Sequence, residues 1–256
     1  MNTAGRLLSI YDRLIGRGRS NDMAMLNVWA DVFELPTSSR HLEDDVVTCL
    51  QALRAEMELL RAKLLALDIQ DELMQPGMAR FRKVASPTHL NAGWNGLWEE
   101  ASKPENRLAF LWANWALRDQ DEEDMSSEEL SGLQGELDAL EQSLQDADMS
   151  AYLRDFVQRQ IDAIRTALRV YRVQGVKPIE KALQQVAGAY TIEKSKVQEE
   201  YAMASEPAKD VLARVGGVIE KTAKVAENLD KIKKAGEGAW SLVSTVAPLL
   251  ISYFKS

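Results

Sequence analysis

Apolar residues recur every three or four positions through most of the chain, which is the spacing of one face of an α-helix. Two short amphipathic helices are predicted first, over residues 3–15 and about 21–33. From residue 42 to about 74 the spacing predicts one long rod-like helix, which Pro76 and Gly77 are expected to end. The apolar seam of this helix consists of Leu50, Leu53, Met57, Leu60, Leu64 and Leu67.

Three further seams follow in the second half of the chain. Ser126 and Glu129 predict a capping box at the start of the first, and Gly175 and Pro178 end the second and begin the third. The short connection between the last two predicts an antiparallel hairpin. The seams are Leu130, Leu133, Leu137, Leu140 and Leu144; Leu153, Phe156, Val157, Ile161, Ile164, Leu168 and Tyr171; and Ile179, Leu183, Val186, Tyr190, Val197 and Tyr201.

The C-terminal region changes character twice. Pro207 predicts a short helix that Gly216 and Gly217 break, followed by an amphipathic helix over residues 218–234. Residues 238–254 then contain no charge over 17 positions, the lower limit for a membrane-spanning helix. A buried helix, a membrane-seeking segment and a partner interface all remain open. Its large side chains are Trp240, Leu242, Val246, Leu249, Leu250, Ile251, Tyr253 and Phe254.

These patterns predict an all-α protein, an elongated antiparallel helical bundle with long coiled-coil-like helices and an apolar C-terminal helix. The net charge of −8 is uneven: residues 1–118 carry −1, residues 119–150 carry −12 and residues 151–256 carry +5. We therefore expect three parts: an N-terminal region with the rod helix and a tryptophan-rich subdomain, an acidic linker plus helix, and a C-terminal hairpin, amphipathic helix and apolar tail. The acidity disfavours nucleic acid as a partner and leaves open a solvated face or a docking surface for a basic protein.

Four of the six tryptophans lie close together in the sequence, at Trp94, Trp98, Trp112 and Trp115. Tryptophan spacing of three or four is typical of a helix core, and aromatic side chains are also enriched at protein interfaces. Both interpretations stay open. We take the four tryptophans as the candidate surface for binding a partner.

The inventory of reactive residues is small. Two histidines and one cysteine, Cys49, favour no zinc or iron–sulfur site, and no motif for a cofactor or small-molecule ligand occurs. A lone thiol favours a reducing compartment, and we expect a cytoplasmic protein with peripheral or conditional membrane association as an alternative. Cys49 lies beside the first seam and is expected to be a small buried apolar residue.

Arg82 and His89 are separated by six residues. This pair resembles the Arg-x(4–6)-His element of the HEPN family of all-helical ribonucleases. The resemblance covers these two residues and implies cleavage of an RNA phosphodiester by the pair, across a dimer. Ser86 and Pro87 in the gap predict a helix break there.

The patterns together favour a non-enzymatic helical interaction or scaffold protein, a subunit of a larger assembly or a self-oligomer. The main alternative is a membrane-active, pore-forming or membrane-perturbing effector that inserts residues 238–254. A remote alternative is the HEPN-like ribonuclease that Arg82 and His89 would serve.

Overall fold

The computed structural model describes residues 1–19 and 22–230. Within these residues the chain forms ten α-helices, three short 3₁₀ helices and no strand, so the all-α prediction is confirmed. The α-helices are α1 Thr3–Gly16, α2 Met25–Val32, α3 Leu42–Leu65, α4 Gln75–Val84, α5 Trp94–Ala101, α6 Pro104–Ala116, α7 Ser127–Asp146, α8 Ala151–Gln174, α9 Lys177–Met203 and α10 Glu206–Asp230. The 3₁₀ helices are Asp71–Leu73, Pro87–His89 and Arg118–Gln120.

The chain divides into two compact units. Unit 1 comprises Met1–Glu122 together with Arg172–Gly175. Unit 2 comprises Glu123–Tyr171 and the chain from Val176 onward, of which the structure describes the part up to residue 230. Helices α1–α6 therefore belong to unit 1, and α7, α9, α10 and most of α8 belong to unit 2.

Helix α3 is shorter than the periodicity predicts. The expected helix over residues 42–74 ends at Leu65. Asp68 adopts a left-handed conformation with φ of 58°, and the backbone N–H groups of Asp68 and Ile69 donate to the carbonyls of Leu65 and Leu64 at 3.0 and 3.1 Å. The left-handed residue that ends a helix is usually glycine. Because this position is occupied by Asp68, the sequence did not indicate that the helix ends here. Pro76 lies in the first turn of α4 and begins a helix there instead of ending one.

Helix α10 is longer than predicted. It runs unbroken through Gly216 and Gly217, where the sequence predicts a break. Each glycine costs about 1 kcal/mol relative to alanine inside a helix, and burial of the flanking apolar face offsets that cost. The buried residues on either side are Val211, Leu212, Val215, Val218 and Ile219.

The core of unit 1 is aromatic. The ring of Phe81 packs against those of Tyr11 and Phe110, with centroids 5.7 and 5.3 Å apart, and Trp29 lies 6.3 Å from the same ring. The Tyr11 hydroxyl donates to the carbonyl of Ala101 at 2.7 Å, which satisfies the polar end of a buried side chain. This core joins α1, α2, α4 and α6.

A buried ion cluster lies in the same unit. The Arg6 guanidinium donates to Glu56 at 2.8 Å and to Glu122 at 3.0 Å, and all three side chains are buried. Burial acts to lower the pKa of Arg6, but the two carboxylates outweigh it, so the pKa is raised. The cation therefore remains charged and neutralises two buried carboxylates.

Unit 2 buries the apolar seams of α7, α8, α9 and α10 in one shared cluster. The predicted capping box is confirmed: the Ser126 hydroxyl accepts from the Glu129 N–H at 3.1 Å, and Glu129 accepts from the Ser126 N–H at 2.9 Å. Polar contacts also join the helices. The Arg159 guanidinium of α8 donates twice to Glu193 of α9, and Glu193 accepts from the Tyr152 hydroxyl at 2.6 Å.

Candidate functional site

The four tryptophans of the predicted contact surface lie in different environments. Trp94 is 1% exposed and its Nε1 donates to the carbonyl of Gly18 at 2.9 Å, so it is a core residue of unit 1. Trp98 is half-buried on α5, with the Arg19 guanidinium 5.2 Å from the centre of its ring. Trp112 and Trp115 lie on α6 and are exposed. The structure therefore leaves two of the four tryptophans as an outward surface.

The inward face of α6 explains why these two point outward. Phe110 and Ala113 are fully buried against the aromatic core. Asn106 is also fully buried, and its side-chain amide donates to the carbonyls of Glu100 and Ala101 at 2.8 and 3.0 Å. The side-chain oxygen Oδ1 of Asn106 accepts from Arg80 Nε at 2.7 Å. A buried amide that is held this closely fixes the rotation of α6 about its own axis.

Both ends of α6 are tied to the N-terminal region. Arg107 near its start forms two hydrogen bonds with the Asp12 carboxylate, at 2.8 and 3.0 Å, and these bonds raise the pKa of the Arg107 guanidinium. Near its end, the Asn2 side-chain amide donates to the carbonyls of Asn114 and Leu117 at 3.2 and 3.1 Å. Asn114 lies in the last turn of α6, where carbonyls lack a partner within the helix, so Asn2 acts as a cap there. Arg107 and Asn2 therefore hold the two ends of α6, and Asn106 fixes its rotation about its own axis.

The outward face of α6 is apolar. It consists of Leu108, Leu111, Trp112 and Trp115, which are 62%, 42%, 40% and 62% exposed. At about 100° per residue these four side chains point about 180° away from Phe110 and Ala113. Arg118 lies over the Trp115 ring, with its Cζ 4.6 Å from the ring centre. Trp112 and Trp115 were predicted as contact residues, and the two leucines extend the face through their spacing of three, four and seven.

Arg82 and His89 lie on two separate elements. Arg82 is in α4, where its guanidinium pairs with Glu58 and its carbonyl accepts from Arg54 at 3.0 Å. His89 is in the 3₁₀ helix Pro87–His89, and its backbone N–H donates to the Ser86 carbonyl at 3.0 Å. No hydrogen bond joins the two side chains in the part of the chain that the structure describes. Cys49 is fully buried in α3.

The described residues contain neither a candidate metal site nor a candidate membrane-spanning helix. No group of three or more His, Cys, Asp or Glu side chains with the arrangement of a metal site occurs within residues 1–19 and 22–230. Among the helices of the same residues, none has the length and apolar character needed to cross a membrane. The predicted tail residues, Trp240 to Phe254, lie outside the described part of the chain.

Comparison with known protein families, curated proteins and solved structures finds no match for this chain.

Proposed function

We propose that this chain is a non-enzymatic helical interaction protein, a subunit of a larger assembly or a self-oligomer, and that the outward face of α6 is its contact surface. One observation carries the proposal: four large apolar side chains are exposed together on one side of a helix. Single exposed apolar residues are ordinary in folded proteins. A contiguous apolar face is typical of a surface that another molecule covers.

Covering this face with a partner would remove a large apolar surface from water, and the free energy of that burial is substantial. The two tryptophans together expose about one complete indole side chain, and the two leucines together expose about one complete leucine. Removing that surface from water contributes about 3–6 kcal/mol, at about 1.5–3 kcal/mol per large apolar side chain. The face is also pre-organised, because Asn106 and Arg107 already hold the helix. Little conformational entropy is then lost on binding.

We further propose that unit 2 is an antiparallel bundle with coiled-coil-like packing, which would act as the scaffold. Contacts between α7 and α8 support this arrangement: Arg165 pairs with Asp138 at 3.0 Å, and Arg154 donates to the Leu144 carbonyl at 3.0 Å. In these two contacts the later residue of α7 meets the earlier residue of α8, which is the pattern of antiparallel neighbours. A cytoplasmic location is proposed from the single cysteine alone.

Site-specific photocrosslinking in the native cells tests the contact surface. The photoreactive residue p-benzoylphenylalanine is placed at position 115, where it replaces one aromatic ring by another. A matched control carries it at position 192, because Ile192 is 85% exposed and belongs to a different helix, α9 of unit 2. We expect discrete adducts, identified by mass spectrometry, from position 115 and none of the same mass from position 192.

A second variant separates specific docking from simple exposure. Leu108→Gln changes the far end of the face and should abolish the adduct from position 115, because both residues would contact the same partner. Helix content measured by circular dichroism should stay unchanged, since Leu108 is exposed. Equal labelling at positions 115 and 192, or an adduct indifferent to Leu108→Gln, would contradict the proposal.

The membrane-active effector is the second candidate, and the composition of residues 238–254 favours it. This segment has no charge, with Trp240 near one end and Tyr253 near the other, as at the two interfaces of a bilayer. Flotation with anionic liposomes and dye leakage test it, with the chain ending at Glu237 as the comparison. Binding and leakage by the full chain but not by a folded truncation would favour this candidate. Absence of both would remove it.

A further inference from the structure

A short segment from the second half of the chain belongs to unit 1. It is Arg172–Gly175, the end of α8 and the residue that follows, and it is named the α8 tip. Arg172 pairs with Glu34, and the side-chain amide of Gln174 donates to the carbonyl of Ala52 at 3.4 Å. The α8 tip is thus bound to α3 and to the turn after α2 within unit 1.

The last residue of the α8 tip lies directly on the buried ion cluster. Gly175 has a left-handed φ of 68°, and a Cβ built on it would lie 2.7 Å from Arg6 Nη1 and 2.9 Å from Glu122 Oε2. Both distances are too short for a side chain, so glycine is what lets the backbone come this near. The turn therefore covers the Arg6 guanidinium and limits how far it can move.

Arg6 in turn holds the residues that begin α1. Its guanidinium donates to the carbonyl of Met1 at 3.1 Å, and its backbone N–H donates to the carbonyl of Asn2 at 3.0 Å. Asn2 is buried and caps two helices at once. Its side-chain oxygen accepts from the N–H of Gly5 in α1 at 3.0 Å, and its side-chain nitrogen donates to the carbonyl of Asn114 in α6 at 3.2 Å. Asn2 therefore joins the first turn of α1 to the last turn of α6.

We propose that the α8 tip controls the order of the last turn of α6, and with it the contact surface, through Arg6 and Asn2. The inference rests on the proposed function and concerns the regulation of the same face. Trp115 directly follows Asn114 and is the more exposed of the two tryptophans. A docked tip keeps Trp115 in place, so that little entropy is lost when a partner binds. A tip that opens locally leaves this residue mobile.

The two ends of α6 should respond differently, which provides an internal control. The start of the helix is held by Asn106, whose side chain bonds to Ala101, and by Arg107, which bonds to Asp12. Neither contact involves the cap at the other end. Loss of that cap therefore speeds amide exchange in the last turn of α6 and leaves the start protected. A general loss of stability in unit 1 speeds exchange at both ends.

Hydrogen exchange of the full chain, followed by mass spectrometry, measures the two ends of α6 separately. Gly175→Ala forces a left-handed alanine against Arg6. We expect exchange in the last turn of α6 to become about 2- to 30-fold faster, the range for substitutions along a chain of coupled contacts, with the start nearly unchanged. Gly188→Ala is the matched control, because a Cβ there has no atom within 4 Å, and it should change neither end.

Two further variants test the two steps of the connection. Val173→Ala shortens a buried side chain of the α8 tip without backbone strain, and exchange in the last turn of α6 should rise within the same range. Asn2→Asp has nearly the same size, keeps the oxygen that accepts from Gly5 and lacks the donor to α6. It should reproduce the effect on the last turn of α6.

The outcomes that overturn the coupling are specific. Exchange that rises equally at both ends of α6 in Gly175→Ala and Val173→Ala would show a general loss of stability. Exchange in the last turn that neither tip variant changes, or that Asn2→Asp leaves unchanged, would show that the connection does not exist.

Photocrosslinking from position 115 in cells separates the inference from the proposed function. Gly175→Ala should reduce the adduct of the unchanged chain about twofold or more. An adduct that Gly175→Ala leaves intact would overturn the regulation while the proposed function stands. If the unchanged chain forms no adduct, the proposed function fails, and hydrogen exchange alone decides whether the α8 tip orders α6.

Discussion

Removal of the buried Arg6 cation should destabilise unit 1 more than any exposed ion pair could. Arg6→Met leaves the Glu56 carboxylate buried, and Glu56 has no other hydrogen-bond partner in the described part of the chain. Breaking a buried ion pair by removing one partner costs about 3–5 kcal/mol, because the remaining charge is neither solvated nor paired. We expect the free energy of unfolding of unit 1 to fall by about that amount.

A double-mutant cycle separates the ion pair from the packing of the side chains. Glu56→Met should cost less than Arg6→Met, since Arg6 keeps its 3.0 Å contact with Glu122. The double variant should be more stable than the sum of the two losses implies, because it leaves only the Glu122 carboxylate without Arg6, whereas Arg6→Met leaves the Glu56 carboxylate without it as well. We expect a coupling free energy of about 1.5–3 kcal/mol.

Urea unfolding followed by tryptophan fluorescence measures the change in the free energy of unfolding of unit 1. Five of the six tryptophans, Trp29, Trp94, Trp98, Trp112 and Trp115, lie in unit 1. Circular dichroism at 222 nm, which reports helix throughout the chain, gives the comparison with unit 2. An unchanged unfolding midpoint for unit 2 is expected.

The size of the loss in the Arg6→Met variant supports or refutes the reasoning. A loss below about 1 kcal/mol would show that Arg6 does not neutralise a buried carboxylate.

Four further predictions concern single positions. Gly175→Ala should cost unit 1 about 1–2 kcal/mol, because Gly175 has φ of 68° and a Cβ there would lie 2.7 Å from the buried guanidinium. Gly135→Ala, at an open helical position, should instead raise stability by about 0.5–1 kcal/mol in the same urea assay. Burial and the hydrogen bond to Glu193 raise the pKa of Tyr152 to about 12, so its contribution to stability is present below pH 10 and lost as the pH rises towards 12. Absorbance at 295 nm, taken as a difference from Tyr152→Phe, should show this pKa falling towards 10 in Glu193→Gln. Ser126→Ala should cost unit 2 about 0.5–2 kcal/mol by urea unfolding followed by circular dichroism, and no loss would show that the capping box is not needed.

Helix type and most seam positions follow from the sequence because burial repeats with the helical period; the predicted seam residue Leu67 is wrong, since it lies beyond the end of α3 and is 47% exposed. The seam leucines of α7 are all buried, and the cap at Ser126 forms as its motif predicts. Helix ends were less predictable. The cap at Asp68 uses a residue without the glycine signature, and the glycine pair in α10 is overruled by packing that becomes visible only in three dimensions.

The ion cluster illustrates a different limit. Arg6, Glu56 and Glu122 lie 50 and 66 residues apart along the chain. Charged residues are mostly exposed, so nothing in their local sequence distinguishes them from surface residues. Their burial depends on how α1, α3 and the segment after α6 pack, which short-range periodicity does not encode. The same holds for Asn106, whose buried amide fixes the rotation of α6.

Helix α6 shows where sequence and structure together say more than either alone. From Leu108 to Ala116 its sequence contains no charge, and Asn114 is its one strongly polar residue there. A helix that is apolar on all sides is typical of one that is covered on all sides. The described residues cover the face that contains Phe110 and leave the opposite face in water. The tryptophan cluster in the sequence predicts an interface. The buried Asn106 fixes the rotation of α6, which leaves Trp112 and Trp115 exposed. The composition of α6 is therefore that of a helix with two covered faces, which is the basis on which we propose its outward face as a contact surface.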